Sequence, residues 1–331
     1  MARQNEGHLG TIQHYVPQSY LRRFGIDGEP ERIFAYEVGR EPYKTNVKNV
    51  ASQRDYYTFV DPDTNKKSDE LEKAFGAIDD EGARLLGVLD TMTPGFIELG
   101  EEDRGNLLSY IAFMYTRNTR SKRQTREFHS QASLVQMQFA ATNEEIFHRD
   151  AKKALGSKYN HKEAESARQA LLDGKMNIEY NDDHQYFMGN ALNMSRPLYE
   201  VLYRMKRIVL LENNTSHQFV TSDNPVSMYG PPGFDSSMGL GFVHAIFQLP
   251  ISPKRCILLV NEDVELKDMD PQCSRDNVDH INWFTYHGAE KWVFSHVKSK
   301  TVSEMMNDHN SQDTGLVMSS PFGKLPPQNG N

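Results

Sequence analysis

The spacing of hydrophobic positions changes twice along the chain. Arg32-Ile33-Phe34-Ala35-Tyr36-Glu37-Val38 comes close to strict alternation, which predicts a strand, and Asp55-Tyr56-Tyr57-Thr58-Phe59-Val60 predicts a second, stopped by Asp61-Pro62-Asp63. After Ser68 the period lengthens. Leu71, Phe75, Ile78, Leu85 and Val88-Leu89 recur at helical spacing up to Asp90, and Pro94 closes the segment. A longer helix is predicted from Glu101 to near Ala141, with Glu101, Glu102 and Asp103 in the first turn, where the macrodipole favours acids. Asn143 to Leu155 and His161 to Leu172 read as polar helices separated by Gly156-Ser157, and His184 to Arg204 as another, disturbed at Pro197.

Short β-branched or aromatic runs then return: Arg207–Leu211, Gln218–Thr221, Ala245–Pro250 and Cys256–Val260. A helix over Asp276–Tyr286 and a strand over Lys291–Val297 complete the pattern. Strands, a helical block and strands again predict one α+β domain over about 13–300. Its mixed or antiparallel sheet is built from N- and C-terminal strands around a central helical block, with a helical insertion at about 143–173. Residues 1–12 and 319–331 read as flexible tails.

Composition narrows the partners. Lys and Arg number 37 against 45 Asp and Glu, a net charge of −8, which disfavours wholesale coating of nucleic acid but leaves room for a local basic groove. The longest aliphatic run, Cys256 to Val260, is far short of the roughly 18 residues of a membrane helix. Met1 to Gly10 has no apolar core of the signal-peptide kind. Two cysteines, Cys256 and Cys273, cannot build a disulfide framework or a thiolate zinc site, so a cytoplasmic setting is expected.

Three stretches concentrate chemistry. His14-Tyr15-Val16-Pro17-Gln18-Ser19-Tyr20-Leu21-Arg22-Arg23-Phe24 places a histidine in extended chain before a helix start at Pro17. His14 suits a base or metal ligand there, or simply a hydrogen-bonded turn. In the long helix, with Arg117 at zero and about 100° per residue, Tyr110 and Phe128 fall near 20°, Met114 near 60° and Phe113 near 320°. Arg117 therefore sits inside the apolar stripe with Arg120 at its flank, while Lys122, Arg123 and Arg126 face away. A buried guanidinium needs a partner. Arg117 is either a phosphate or carboxylate clamp or half of an ion pair with a carboxylate of the preceding helix, where Glu72 and Asp79 share a face. The third stretch, Thr221-Ser222-Asp223-Asn224-Pro225-Val226, ends an apolar run with side-chain oxygens. Asp223 and Asn224 there are candidate catalytic groups or metal ligands, or an Asx turn. P-loop, GxGxxG, GxSxG and HExxH motifs are absent.

HYVPQSYLRRF, DYYTF, IAFMYTRNTR, TSDNPV and FQLPISPKRCILL, in that order over about 13–297, resemble the bacterial domain of unknown function 4238. The resemblance implies no activity, substrate or cofactor. It carries over to His14, Pro17, Tyr20, Arg117, Asp223, Asn224 and Pro225, and departs at Ile78-Asp79, where an Ile-Glu pair is expected. Two functions are then in contention. One is a metal-dependent phosphodiester or phosphate-ester hydrolase, including a nuclease of phage defence or a toxin. His14 and Asp223 would hold Mg²⁺ or Mn²⁺, Asn224 would assist, and Arg117 with Arg120 would clamp phosphate. The other is a non-catalytic sensor or binding protein for an anionic small molecule or a partner protein.

Overall fold

The computed structural model describes residues 11–60, 67–68, 70–179, 184–230, 245–264, 270–308, 319–320 and 323–324. The N-terminal third holds β1 (Ile12–His14), α1 (Gln18–Leu21), β2 (Arg32–Tyr36), β3 (Tyr43–Asn46), β4 (Ser52–Arg54), β5 (Phe59–Val60) and β6 (Lys67–Ser68). Then come α2 (Glu70–Leu89), β7 (Gly95–Ile97), α3 (Glu101–Thr116), α4 (Thr119–Ala141), α5 (Glu144–Leu155), α6 (His161–Leu172) and α7 (His184–Met205). The C-terminal part has β8 (Lys206–Asn213), β9 (Thr221–Ser222), β10 (Ser227–Tyr229), β11 (Ile246–Ser252), β12 (Arg255–Asn261) and β13 (Gln272–Cys273). It ends with α8 (Arg275–Gly288), β14 (Val293–Ser295) and α9 (Lys300–Asp308). The chain divides into two bodies, Met1–Ser121 with His184–Gln312, and Lys122–Asp183 with Asp313–Asn331.

In the first body, β8 and β12 are apolar on both faces because each face meets its own core. Val209 and Leu211 with Cys256, Leu258 and Val260 pack against Val278 and Ile281 of α8. Their alternates Ile208, Leu210, Ile257 and Leu259 join the main core with residues of α2, α3 and α7. That two-sided burial explains why these strands lack a polar alternation. The sheet order is β10-β11-β12-β8-β13, and the far edge of β8 also takes β7. Its pairs are antiparallel except β13 with β8. A second, antiparallel sheet runs β3-β2-β14-β9, so two strands from the N-terminal part join two from the C-terminal part through the β2–β14 pair, a sheet shared by both chain ends as the sequence predicts. In the second body, Leu134 and Ala141 of α4 pack on Leu171 of α6.

Several elements differ from the sequence reading. Of the predicted Asp55–Val60 strand only Phe59–Val60, β5, is extended: Asp55 has φ 55 and opens a turn, and Tyr56 and Tyr57 are buried outside any strand. The 101–141 helix breaks at Arg117, whose φ −94 and ψ 0 leave the helix. Asn118 closes both ends. Its Nδ2 donates to the carbonyls of Met114 (3.0 Å) and Tyr115 (2.9 Å), and its Oδ1 accepts from Ser121 N (2.9 Å). The break resets the helical phase, so Phe128, expected on the buried stripe, is 46 % exposed. Gln218–Val220 is not a strand, and α9 was not foreseen. α2 and α3 approach closely because Gly82 has no Cβ; one added there would lie 2.3 Å from the Tyr110 ring.

Candidate functional site

β1 pairs with β4 and carries His14 opposite Ser52. Its Nε2 donates to the Lys48 carbonyl at 3.1 Å, and its Nδ1 faces the Gln18 amide at 3.4 Å. Burial holds this imidazole below its ordinary value. His14 shares no hydrogen bond or ion pair with Arg117, Arg120, Asp223 or Asn224 among the described residues. Its neighbours in the motif do reach the TSDNPV stretch. Tyr20, fully buried, donates to the Pro250 carbonyl at 2.5 Å and meets Thr221 Oγ1 at 2.7 Å. Tyr15 bonds the Thr119 side chain and lies within the field of Asp223.

Asp223 follows directly on β9, whose ladder with β14 places it beside the chain entering β14. Oδ1 accepts from Glu290 N at 2.9 Å, and Oδ2 from Lys291 N at 2.8 Å and Trp292 N at 3.2 Å. The residue is wholly buried, and burial pushes its carboxyl up to about 7 against the pull of those three amides. Asn224 is engaged at both ends. Its Oδ1 accepts from Asn118 Nδ2 at 2.6 Å, and its Nδ2 donates to the Gly288 carbonyl at 2.9 Å. The TSDN run thus braces the α8–β14 connection and the α3–α4 break. His14 and Asp223 hydrogen-bond different backbone partners, Lys48 for the one and Glu290 to Trp292 for the other.

Arg117 is fully buried, as its place in the apolar stripe requires. Its Nη2 donates to Asp79 Oδ1 at 2.5 Å, the ion pair foreseen on the first helix, made here by the shorter carboxylate. Phe75 lies 5.7 Å from the guanidinium carbon, and Tyr56 Oη donates to the Arg117 carbonyl at 2.8 Å. Nε and Nη1 make no hydrogen bond to a described residue. Burial pushes the Asp79 carboxyl up, while the charge of Arg117 opposes it. Arg120 is directed elsewhere, with Nη1 donating to the His287 carbonyl at 2.7 Å. Arg117 and Arg120 thus hydrogen-bond separate partners, Asp79 and the His287 carbonyl.

The matched family model, described as Protein of unknown function (DUF4238), covers residues 12–299. The chain belongs to this family. Among curated proteins and among solved structures, nothing matches. The motifs by which the DUF4238 resemblance was read are hence joined in space chiefly by hydrogen bonds that fix the fold.

Two further constellations in this DUF4238 chain escaped the sequence reading. In the second body, Glu144, His148 and Glu165 offer ligand atoms within 4.8 Å of one another. Glu165, however, is already held by Arg168 at 2.8 and 2.9 Å, Gln169 at 2.9 Å and His148 Nε2 at 3.0 Å, which keeps its carboxyl far below the usual range. His148 Nδ1 meets Tyr159 Oη at 2.9 Å. This network staples α5 to α6. The i,i+4 spacing of Glu144 and His148 was the visible signal.

The second lies in the first body. His217 Nδ1 meets Asp279 Oδ1 at 2.6 Å, and both residues line a cavity of about 220 Å³. Its lining mixes polar residues, among them His217, Asp279, Ser295, Ser299 and Thr301, with the apolar Val220, Tyr286, Val302 and Met305. Asn282, on the same face of α8, is consumed by Val220 N (3.0 Å) and the Gln218 carbonyl (2.9 Å), which pins the His217 segment to the helix. His217 stands six residues before Asp223, just ahead of the motif. The only sequence signal was the 3–4 spacing of Asp279, Asn282 and Tyr286, which puts them on one face of α8. A carboxylate on Nδ1 fixes the tautomer and leaves Nε2 for a ligand or proton. No described helix is long and apolar enough to cross a membrane.

Proposed function

We propose that the protein binds a small amphipathic molecule in the cavity beside His217 and Asp279. The observation that carries this reading is the coincidence of a hydrogen-bonded imidazole–carboxylate pair and apolar lining residues in one concave space. The lining contains no Lys or Arg and includes Asp279, so an uncharged polar head, an ester or an amide, suits it better than phosphate. This is the binding-protein alternative with the anionic requirement removed. Phosphodiester or phosphate-ester hydrolysis at His14, Asp223, Asn224, Arg117 and Arg120 is less well supported, because those side chains are engaged by separate structural partners.

NMR titration with short aryl and alkyl esters and amides, using ¹³C-methyl-labelled methionine and ring-labelled histidine, tests this. Shifts should concentrate at Met305 and at the His217 ring. The His217 ring shifts should vanish in Met305→Trp, which fills the cavity. Binding that persists unchanged in Met305→Trp would remove the proposal. Turnover of a phosphodiester reporter with Mg²⁺ or Mn²⁺ that is lost in Asp223→Asn but not in His217→Ala would restore the other site.

A further inference from the structure

Resting on that cavity reading, we infer that the pair is catalytic: His217 is the general base, and Asp279 the positioning residue, of a hydrolase for short-chain carboxylic esters. Asp279 Oδ1 at 2.6 Å from Nδ1 holds the ring in the tautomer whose Nε2 is unprotonated, the state a general base needs. Nε2 makes no hydrogen bond to another described residue. Arg275 Nε, one turn before on α8, lies 3.9 Å from the other Asp279 oxygen and adds a positive charge behind the pair.

The nucleophile is water. No serine of the lining bonds His217, and the two serines beside α9 serve backbone amides: Ser295 Oγ accepts from Val297 N at 3.3 Å and Ser299 Oγ from Val302 N at 3.4 Å. Thr301 lines the same cavity, and its hydroxyl makes no hydrogen bond to a described residue, so we assign it as a donor to a developing oxyanion. In the step, a water oxygen forms a bond to the ester carbonyl carbon as its proton passes to His217 Nε2. The carbonyl C–O bond to the alcohol then breaks, and Nε2–H returns the proton to the leaving alkoxide. The products are a carboxylic acid and an alcohol, and no co-reactant beyond water is needed.

Substrate class follows from the spacing of the lining residues along α8. Asp279 and Tyr286 are seven residues apart on α8, about 10 Å at 1.5 Å per residue. A head seated at His217 thus leaves space for a short acyl or aryl group against Tyr286, Val302 and Met305.

The test is steady-state hydrolysis of phenyl acetate, butyrate and decanoate, with binding of N-phenylbutanamide followed by NMR. Butyrate should be preferred and decanoate refused. His217→Ala should lower kcat by about 10²-fold or more while the amide still binds. Asp279→Asn should lower kcat with KM little changed, and Asp279→Glu should recover part of it. Thr301→Val should lower kcat by about 10-fold or more, and Thr301→Ser should be near wild type. Acid-quenched protein should carry no acyl group by mass spectrometry. Amide binding with no ester turnover would overturn the catalytic inference and leave the cavity reading intact. Turnover indifferent to His217→Ala, or an acyl-serine adduct, would overturn it too. Failure of the amide to bind would overturn both.

Discussion

The side-chain amide of Asn118 donates to the side-chain oxygen of Asn224 at 2.6 Å, joining two motifs 106 residues apart. Each amide is also tied to backbone, Asn118 to the end of α3 and Asn224 to Gly288 at the end of α8. The pair fixes the helix break and the sheet-edge turn as one buried unit. Asn224→Ala should cost about 2–3 kcal/mol in urea unfolding, because it orphans the Gly288 carbonyl and one Asn118 donor. Asn118→Ala should cost a similar amount. The double variant should cost less than the sum, since the shared bond is lost only once. Strict additivity would show that the two amides do not act together.

Asp223 accepts three backbone N–H groups, and Asp223→Asn presents an NH₂ to donors. A loss of about 3 kcal/mol or more is expected. Its pH dependence has a definite sign. The folded value of about 7 lies above the ordinary carboxyl value, so the folded state keeps a proton that the unfolded chain releases. This contribution is fully present below about pH 4 and is lost as pH rises through about 7. The gap in stability between wild type and Asp223→Asn should therefore be widest near pH 4 and narrow towards neutrality. Urea titrations across that range decide it; a gap that widens with pH would refute the assignment.

Arg117 and Asp79 form a pair in which one partner is fully buried and the other 20 % exposed at its side chain. Arg117→Ala should destabilise by about 3–5 kcal/mol, because it leaves Asp79 uncompensated. Arg117→Met with Asp79→Leu should recover most of the loss, since an apolar pair of similar size removes two desolvation costs together. Calorimetric unfolding of the single and double variants measures this. No recovery in the double variant would mean that the charges hold the fold in a way packing cannot replace.

What the sequence determined by itself was mostly local or periodic. Apolar spacing located α2, α7 and α8 and the strands β8, β11 and β12, because burial of one face, or of two, imprints a repeat within a few residues; α5 and α6 were legible instead as polar helices on either side of Gly156-Ser157. The same periodicity placed Arg117 inside and named the helix that supplies its carboxylate. The order of strands and helices implied a sheet shared by both chain ends, realised as β3-β2-β14-β9. The break at Arg117-Asn118 escaped because a capping side chain interrupts a helix without interrupting its apolar composition. Only the tertiary structure decided which polar groups meet. His217 finds Asp279 across 62 residues, and Asp223 finds the amides of Glu290 to Trp292 across 67 to 69. Such partnerships depend on where whole elements come to rest, and neither partner carries a mark of the other in its own stretch of chain. A polar residue shows that it needs a hydrogen-bonding partner, and the packing of the strands and helices around it determines which one it gets.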